Sequence, residues 1–181
     1  MALAPDPATP FETLLDELDA DGRLVHVEHL EPRAERHREL ERPLPPGLAD
    51  RPDTQHLWHH QAEAIDAIRR SEHVVIATGT ASGKSRCFQI PIAEAVADPI
   101  TPGTALLLYP TKALAHDQLR SLATLDFPRL VAGAYDGDAT PEEKARIRDK
   151  AHVILTNPEM LHGGFLPRHE KWDTIFMLLS V

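Results

Sequence analysis

Ala77-Thr-Gly-Thr-Ala-Ser-Gly-Lys-Ser85 closes the apolar run His73-Val-Val-Ile-Ala and opens a stretch of helical periodicity from about Gly83 to Ala97. This order reads as strand, loop, helix. A triphosphate needs backbone N–H donors packed around its oxygens, and a helix N-terminus adds a positive dipole end. The short side chains of Thr78, Thr80, Ala81 and Ser82, with Gly79, keep such a loop open, and Gly83 permits close approach. Lys84 then serves as a point charge for the β- and γ-phosphates, and the Ser85 hydroxyl as a ligand for Mg²⁺. The strict pattern G-x-x-x-x-G-K-[ST] puts its first glycine at 78, where this chain has Thr78. Phosphate binding is preferred over a plain Gly/Ser turn because of the strand-loop-helix context.

Downstream the same alternation repeats. Ala105-Leu-Leu-Leu-Tyr predicts a second buried strand, followed by a helix over Ala113 to Leu125. Leu130 to Tyr135 predicts a third, followed by the charged helix Pro141 to Lys150. His152-Val-Ile-Leu-Thr predicts a fourth, and a helical stretch precedes the apolar residues Phe176 to Val181. Short continuous apolar strands separated by helices specify an α/β fold with a parallel sheet covered by helices on both faces. A further helix is expected at about Thr54 to Arg70.

Upstream the pattern is different. Residues 1–53 hold 13 acidic and 6 basic residues, whereas residues 54–181 hold 15 and 13. Phe11 to Leu18, with Thr9 or Pro10 near its start, predicts a short acidic amphipathic helix, and Leu24-Val-His-Val a brief strand. From Glu31 to Asp53 charges and five prolines dominate, which makes that stretch a linker or a surface wrap. The expected organisation is an acidic, Pro-rich N-terminal segment, residues 1–53, and an ATP-binding lobe, residues 54–181.

A net charge of −9 over 181 residues rules out a uniformly basic nucleic-acid binder and leaves room for a local basic groove. The single cysteine, Cys87, forms no internal disulfide and reads as a small core residue in a reducing, cytoplasmic compartment. The N-terminal residues lack a signal-peptide pattern, and no apolar run approaches a membrane span.

Leu57-Trp-His-His-Gln-Ala-Glu-Ala-Ile65 precedes the phosphate loop. Gln61 carries a donor and an acceptor on one amide, as needed to read the N6 and N7 edge of adenine, and Trp58 offers a stacking face. The bland alternative is an amphipathic helix with a core Trp. His56, His59 and His60 lack the cysteine or carboxylate partners of a metal site, and are expected at the helix surface or its cap.

The segment His60 to Ile65 together with Ala77 to Ser85 resembles the Gln motif and motif I of superfamily 2 DEAD/DEAH-box helicases. Tyr109-Pro-Thr-Lys-Ala-Leu-Ala-His-Asp-Gln118 resembles motif Ia, Ala134-Tyr-Asp-Gly-Asp138 the segment between Ia and Ib, and Thr156-Asn-Pro-Glu-Met-Leu-His162 motif Ib. The combination is most similar to the RecQ-related branch that includes the mitomycin-repair helicases. The resemblance implies a RecA-like lobe, ATP and Mg²⁺ as cofactors, and single-stranded or unwinding DNA as partner, with 3′-to-5′ movement. DNA rather than RNA comes from the resemblance alone. It also places Pro110, Thr111, Lys112, Gln118, Tyr135, Gly137, Thr156, Asn157 and Pro158 among nucleic-acid contacts.

Those positions also have a physical reading. Pro110, Thr111 and Lys112 follow a strand and open a helix, presenting a hydroxyl, a cation and free N–H groups at one sheet edge. Thr156 to Glu159 repeats that arrangement. Each taken singly is more often just a helix cap, and Tyr135-Asp-Gly-Asp fits a turn with Gly137 at positive φ as well as it fits a nucleic-acid contact.

The family pattern continues into motif II, an Asp-Glu pair after an apolar strand, and then into a second lobe; neither is found in these 181 residues. The expectation is an incomplete lobe that binds phosphate and lacks the acidic residues for hydrolysis. Its motif II strand would begin near Ser180 and belong inside the sheet. Two other functions are weighed against the helicase: a non-enzymatic nucleotide- or partner-binding module, and a P-loop kinase.

Overall fold

A computed structural model describes residues 10–28, 34, 36–51, 54–127 and 129–181. Thr9, Glu31 to Arg33, and Pro52 and Asp53, named in the expectations above, lie outside the described residues. Compact packing divides the chain into Met1–Glu35 and Arg36–Val181.

In the first unit, helix α1 spans Pro10–Ala20. Gly22 ends it at φ +64°, a left-handed conformation that costs glycine nothing, and its N–H reaches the Asp19 carbonyl at 2.9 Å. The strand expected at Leu24 to Val27 does not form. Residues 23–28 have no regular structure and Val25 is 95% exposed, and among the described residues no strand pairs with them.

The second unit holds α2 (His59–Arg69), α3 (Arg86–Ala97), β1 (Ala105–Leu108), α4 (Lys112–Ala123), β2 (Ala132–Ala134), α5 (Pro141–Lys150) and β3 (Val153–Thr156). After them come α6 (Pro158–Met160), a π-turn (Leu161–Phe165), a 3₁₀ segment (Leu166–Trp172) kinked at Arg168, and α7 (Asp173–Met177). The strands are parallel in the order β1-β3-β2, with Ala105 and Ala132 both opposite Val153. Successive side chains of a strand point to opposite faces, and β3 shows what that does. Val153 and Leu155 pack with Ile92, Val96, Ala115 and Leu122 of α3 and α4. Ile154 packs on the other side with Ile147, Phe165, Trp172 and Ile175. Helical layers therefore cover both faces of the sheet, the parallel α/β arrangement the sequence predicts.

Residues 36–51 are a wrap rather than a linker. Leu44 and Leu48 bury against Leu57, Ile65 and Ile90. The buried Asp66 carboxylate accepts the Glu41 N–H at 3.2 Å and pairs with Arg38 at 3.4 Å. The boundary expected between residues 53 and 54 thus falls inside the second compact unit, because the leucines of this stretch bury where its prolines and charges suggested exposure.

The strand expected at His73 to Ala77 is also corrected. Residues 72–79 are in no strand, and Val75 is 94% exposed. The free edge of β1 is occupied instead by residues 178–181: Thr104 bridges Leu179 in parallel, the Ser180 N–H reaches the Thr104 carbonyl at 2.9 Å, and the Leu106 N–H reaches the Val181 carbonyl at 3.2 Å. The run at 73–77 therefore does not pair with β1, whose edge those residues hold.

Candidate functional site

Two groups of predicted residues lie in the second unit. The first is the phosphate loop. Thr78, Gly79, Thr80, Ala81 and Gly83 are exposed, while Ser82, Lys84 and Ser85 are half-buried. Ala81 and Gly83 take positive φ values, +59° and +74°. The Thr78 and Ser82 hydroxyls share a hydrogen bond of 2.7 Å across the loop. Lys84 Nζ folds back and donates to the Thr78 and Gly79 carbonyls, at 3.1 and 2.5 Å. An ammonium within a ring of backbone groups, directly ahead of the twelve-residue α3, suits an anionic ligand. Ser85 stands at the N-cap of α3, where its hydroxyl fits the role of a single metal ligand with phosphate oxygens supplying the rest.

Gln61 is almost fully buried and both ends of its amide are engaged. Its Oε1 accepts the Trp58 N–H at 3.0 Å, and its Nε2 donates to the Gly83 carbonyl at 2.9 Å. The side chain sequence reasoning assigned to adenine thus ties α2 to the phosphate loop. A Cβ on Gly83 would lie 2.5 Å from that Nε2, so both the backbone conformation and the neighbour require glycine there. Trp58 is half-exposed, and its indole stacks on the His37 ring at 4.9 Å and 25°. His56 lies edge-on to His37, and His59 faces Glu63 at 3.6 Å. Cys87 is fully buried, and burial pushes its thiol pKa up despite the nearby Lys84 charge.

The second group lies at the C-terminal ends of the strands. Lys112, Gly137 and Asn157 come from three separate segments and line one groove of about 440 Å³ with Glu159, Met160, Gly163, Gly164 and Arg168. Thr111 is the N-cap of α4, its Oγ1 accepting the Leu114 N–H at 3.3 Å. Asn157 caps α6, its Oδ1 accepting the Met160 N–H at 2.7 Å. Pro110 and Pro158 are exposed beside these caps.

Three predicted contacts sit elsewhere. Thr156 is 2% exposed and donates its hydroxyl to the Tyr135 carbonyl at 2.7 Å, which locks β3 to the end of β2 and leaves no donor for a ligand. Tyr135 packs edge-on against Phe165 and Trp172, both at 4.9 Å. Gln118 lies inward on α4, with its Oε1 buried and lacking a hydrogen-bond partner among the described residues. The motif resemblance placed all three among strand contacts, while the pleat at Thr156 and the helical position of Gln118 were the signals that they turn inward.

Sequence reasoning missed Arg168 and the pair His116–Asp136. His116 Nε2 lies 2.9 Å from Asp136 Oδ2, while Asp136 Oδ1 accepts the N–H groups of Asp138 and Ala139. Burial raises the Asp136 pKa, but the His116 bond and the two N–H donors outweigh it and hold the carboxyl below the ordinary 3.8. Folding therefore favours the carboxylate. Its stabilisation is complete above the ordinary value and is lost as pH falls through the lowered one. Asp136→Asn is expected to unfold at a lower temperature than the parent at pH 6, with the gap closing as pH falls below the ordinary carboxylate range, as thermal unfolding across that range would measure.

Among the described residues no helix is long and apolar enough to cross a membrane, and no group of three or more His, Cys, Asp or Glu is gathered to hold a metal.

Residues 58–179 match the DEAD/DEAH box helicase family. The uncharacterized ATP-dependent helicase YprA of Bacillus subtilis is 33% identical over 173 residues, 90% of this chain and 22% of that protein. The crystal structure of the DUF1998 helicase MrfA bound to DNA superposes with a TM-score of 0.79 at 31% identity, covering 95% of this chain and 25% of that one. MrfA bound to DNA and AMPPNP gives 0.75 at 34% identity, covering 91% and 24%. The chain thus spans a quarter or less of the length of these proteins.

Proposed function

The chain belongs to the DEAD/DEAH box helicase family, and from that membership we propose that it forms the nucleotide- and strand-binding part of an ATP-dependent DNA helicase acting in DNA repair in the cytoplasm, with 3′-to-5′ movement. The observation that carries the reading is the convergence of Lys112, Gly137 and Asn157, from three separate segments, on one groove at the C-terminal strand ends. That is the side where open α/β sheets bind ligands. A sister lobe and an acidic motif complete the reading, as the family resemblance implies.

Bound ATP with Mg²⁺ supplies the phosphoanhydride whose cleavage drives movement. In this chain Lys84 and the N–H groups of residues 79–83 hold phosphate oxygens, Ser85 holds the metal, and Trp58 offers the base a face. To read the N6 and N7 edge of adenine, Gln61 would exchange both internal bonds, to the Trp58 N–H and the Gly83 carbonyl, and so would couple the loop to the base. Lys112 and the backbone around Asn157 hold the strand's phosphates, while Thr111 and Thr156 set the loops that present them. A P-loop kinase gives no reason for the second groove.

The test uses a protein that joins this chain to the acidic motif and the second lobe. Strand-stimulated release of phosphate from ATP is expected, and its absence together with intact nucleotide binding would favour the non-enzymatic module. In the same protein, Lys112→Ala is expected to weaken single-strand binding equally for all sequences and to reduce the salt slope by about 0.7. A loss confined to particular sequences would assign Lys112 to base readout instead.

A further inference from the structure

One of the groove's two cations, Lys112, is already paired. Lys112 Nζ lies 2.8 Å from Asp138 Oδ2, and the two side chains are 44% and 79% exposed. Asp138 is not there by following the lysine. The buried Asp136 carboxylate accepts the Asp138 N–H at 2.9 Å and the Ala139 N–H at 3.2 Å, and His116 fixes Asp136 in turn. The turn at 136–139 therefore fixes the Asp138 backbone beside Lys112 independently of the lysine. The ammonium lies close over this turn, 3.6 Å from where a Cβ on Gly137 would stand, an ordinary contact distance.

We propose that Asp138 is a displaceable counter-anion: it holds Lys112 at the groove when no strand is bound, gives it up to a backbone phosphate when a strand enters, and so sets the strength and salt response of strand binding. The proposal rests on the reading of this groove as the strand site. A carboxylate and a phosphate oxygen compete for the same charge-assisted donor. An exposed pair costs little to open, because both partners regain water, and a released Asp138 stays hydrated. The Asp138 hydrogen bond, with the charges of Asp138, Asp136 and Glu159, raises the Lys112 pKa, so the exchange involves a fully charged ammonium.

The experiment measures binding of a labelled oligothymidylate strand to the two-lobed protein and to Asp138→Asn, Lys112→Ala and the double variant, across a salt series. Asp138→Asn is expected to tighten binding about two- to five-fold at low salt. It should also steepen the salt slope by at most about 0.7. In the Lys112→Ala background the gain should vanish. Unchanged affinity for Asp138→Asn would overturn the proposal, and so would an equal gain with or without Lys112, which would mean general repulsion of the strand. If Lys112→Ala alone leaves binding intact, the groove reading itself fails and takes this inference with it. Failure of the Asp138 arm alone leaves the groove reading standing.

Discussion

Lys84→Ala is expected to weaken ATP binding by roughly 10- to 150-fold, the equivalent of losing a charge-assisted contact of about 1.5 to 3 kcal/mol. The Lys84 ammonium reaches back over its own loop to the Thr78 and Gly79 carbonyls. Its position is therefore set by local backbone, and it needs no distant partner to face an anion there. Those carbonyls are weaker partners for it than a phosphate oxygen, so the ligand gains most of the contact. Loop carbonyls that lose the ammonium are exposed and regain water, so thermal unfolding should barely move. Calorimetry with ATP checks the first part, and the unfolding temperature checks the second. Equal ATP affinity in the variant would remove Lys84 from the phosphate site.

The elements that proved legible are those whose signal is local. Val153-Ile-Leu-Thr156 and Ala105-Leu-Leu-Leu108 are short apolar runs flanked by breaks, and each is a strand within a residue of its expected bounds. Thr140 followed by Pro141 and Glu143 forms the capping box that starts α5. The run His73 to Ala77 carries the same composition and is not a strand here. An apolar run states that a segment should be buried; which edge it pairs with is a property of other segments, and residues 178–181 hold the edge of β1. The site shows the same division. Gly83 was legible as a close approach, but the group approaching it, Gln61 Nε2, comes from another helix. Thr156 offered a hydroxyl to any reader of the motif, yet the pleat turns it inward to the Tyr135 carbonyl. Arg168 carries no local signal at all, since the fold of residues 161–172 alone brings it to the groove that Lys112 and Asn157 share.

Phe165→Ala is expected to cost about 3 to 5 kcal/mol of folding stability, a large share of the roughly 5 to 15 kcal/mol that holds a domain together. Phe165 is fully buried. Its ring stacks on Trp172 with centroids 3.9 Å apart and a 16° angle, and Tyr135 meets both rings edge-on. Removing the ring leaves a cavity between the sheet face at Ile154 and the 3₁₀ segment, and a backbone held between β3 and α7 has limited room to collapse. The effect reaches function through the π-turn. Phe165 closes the Leu161–Phe165 turn, whose Gly163 and Gly164 form one wall of the Lys112 groove. π-turns are rare, and the Phe165 ring anchors this one by packing with Ile154 and stacking on Trp172. Chemical denaturation of the two-lobed protein should show the loss of stability. Under conditions where the variant remains folded, strand binding should weaken while ATP binding at the separate phosphate loop is retained. Equal loss of both would show that the cavity disrupts the lobe as a whole, and would detach the aromatic cluster from any particular role in the groove.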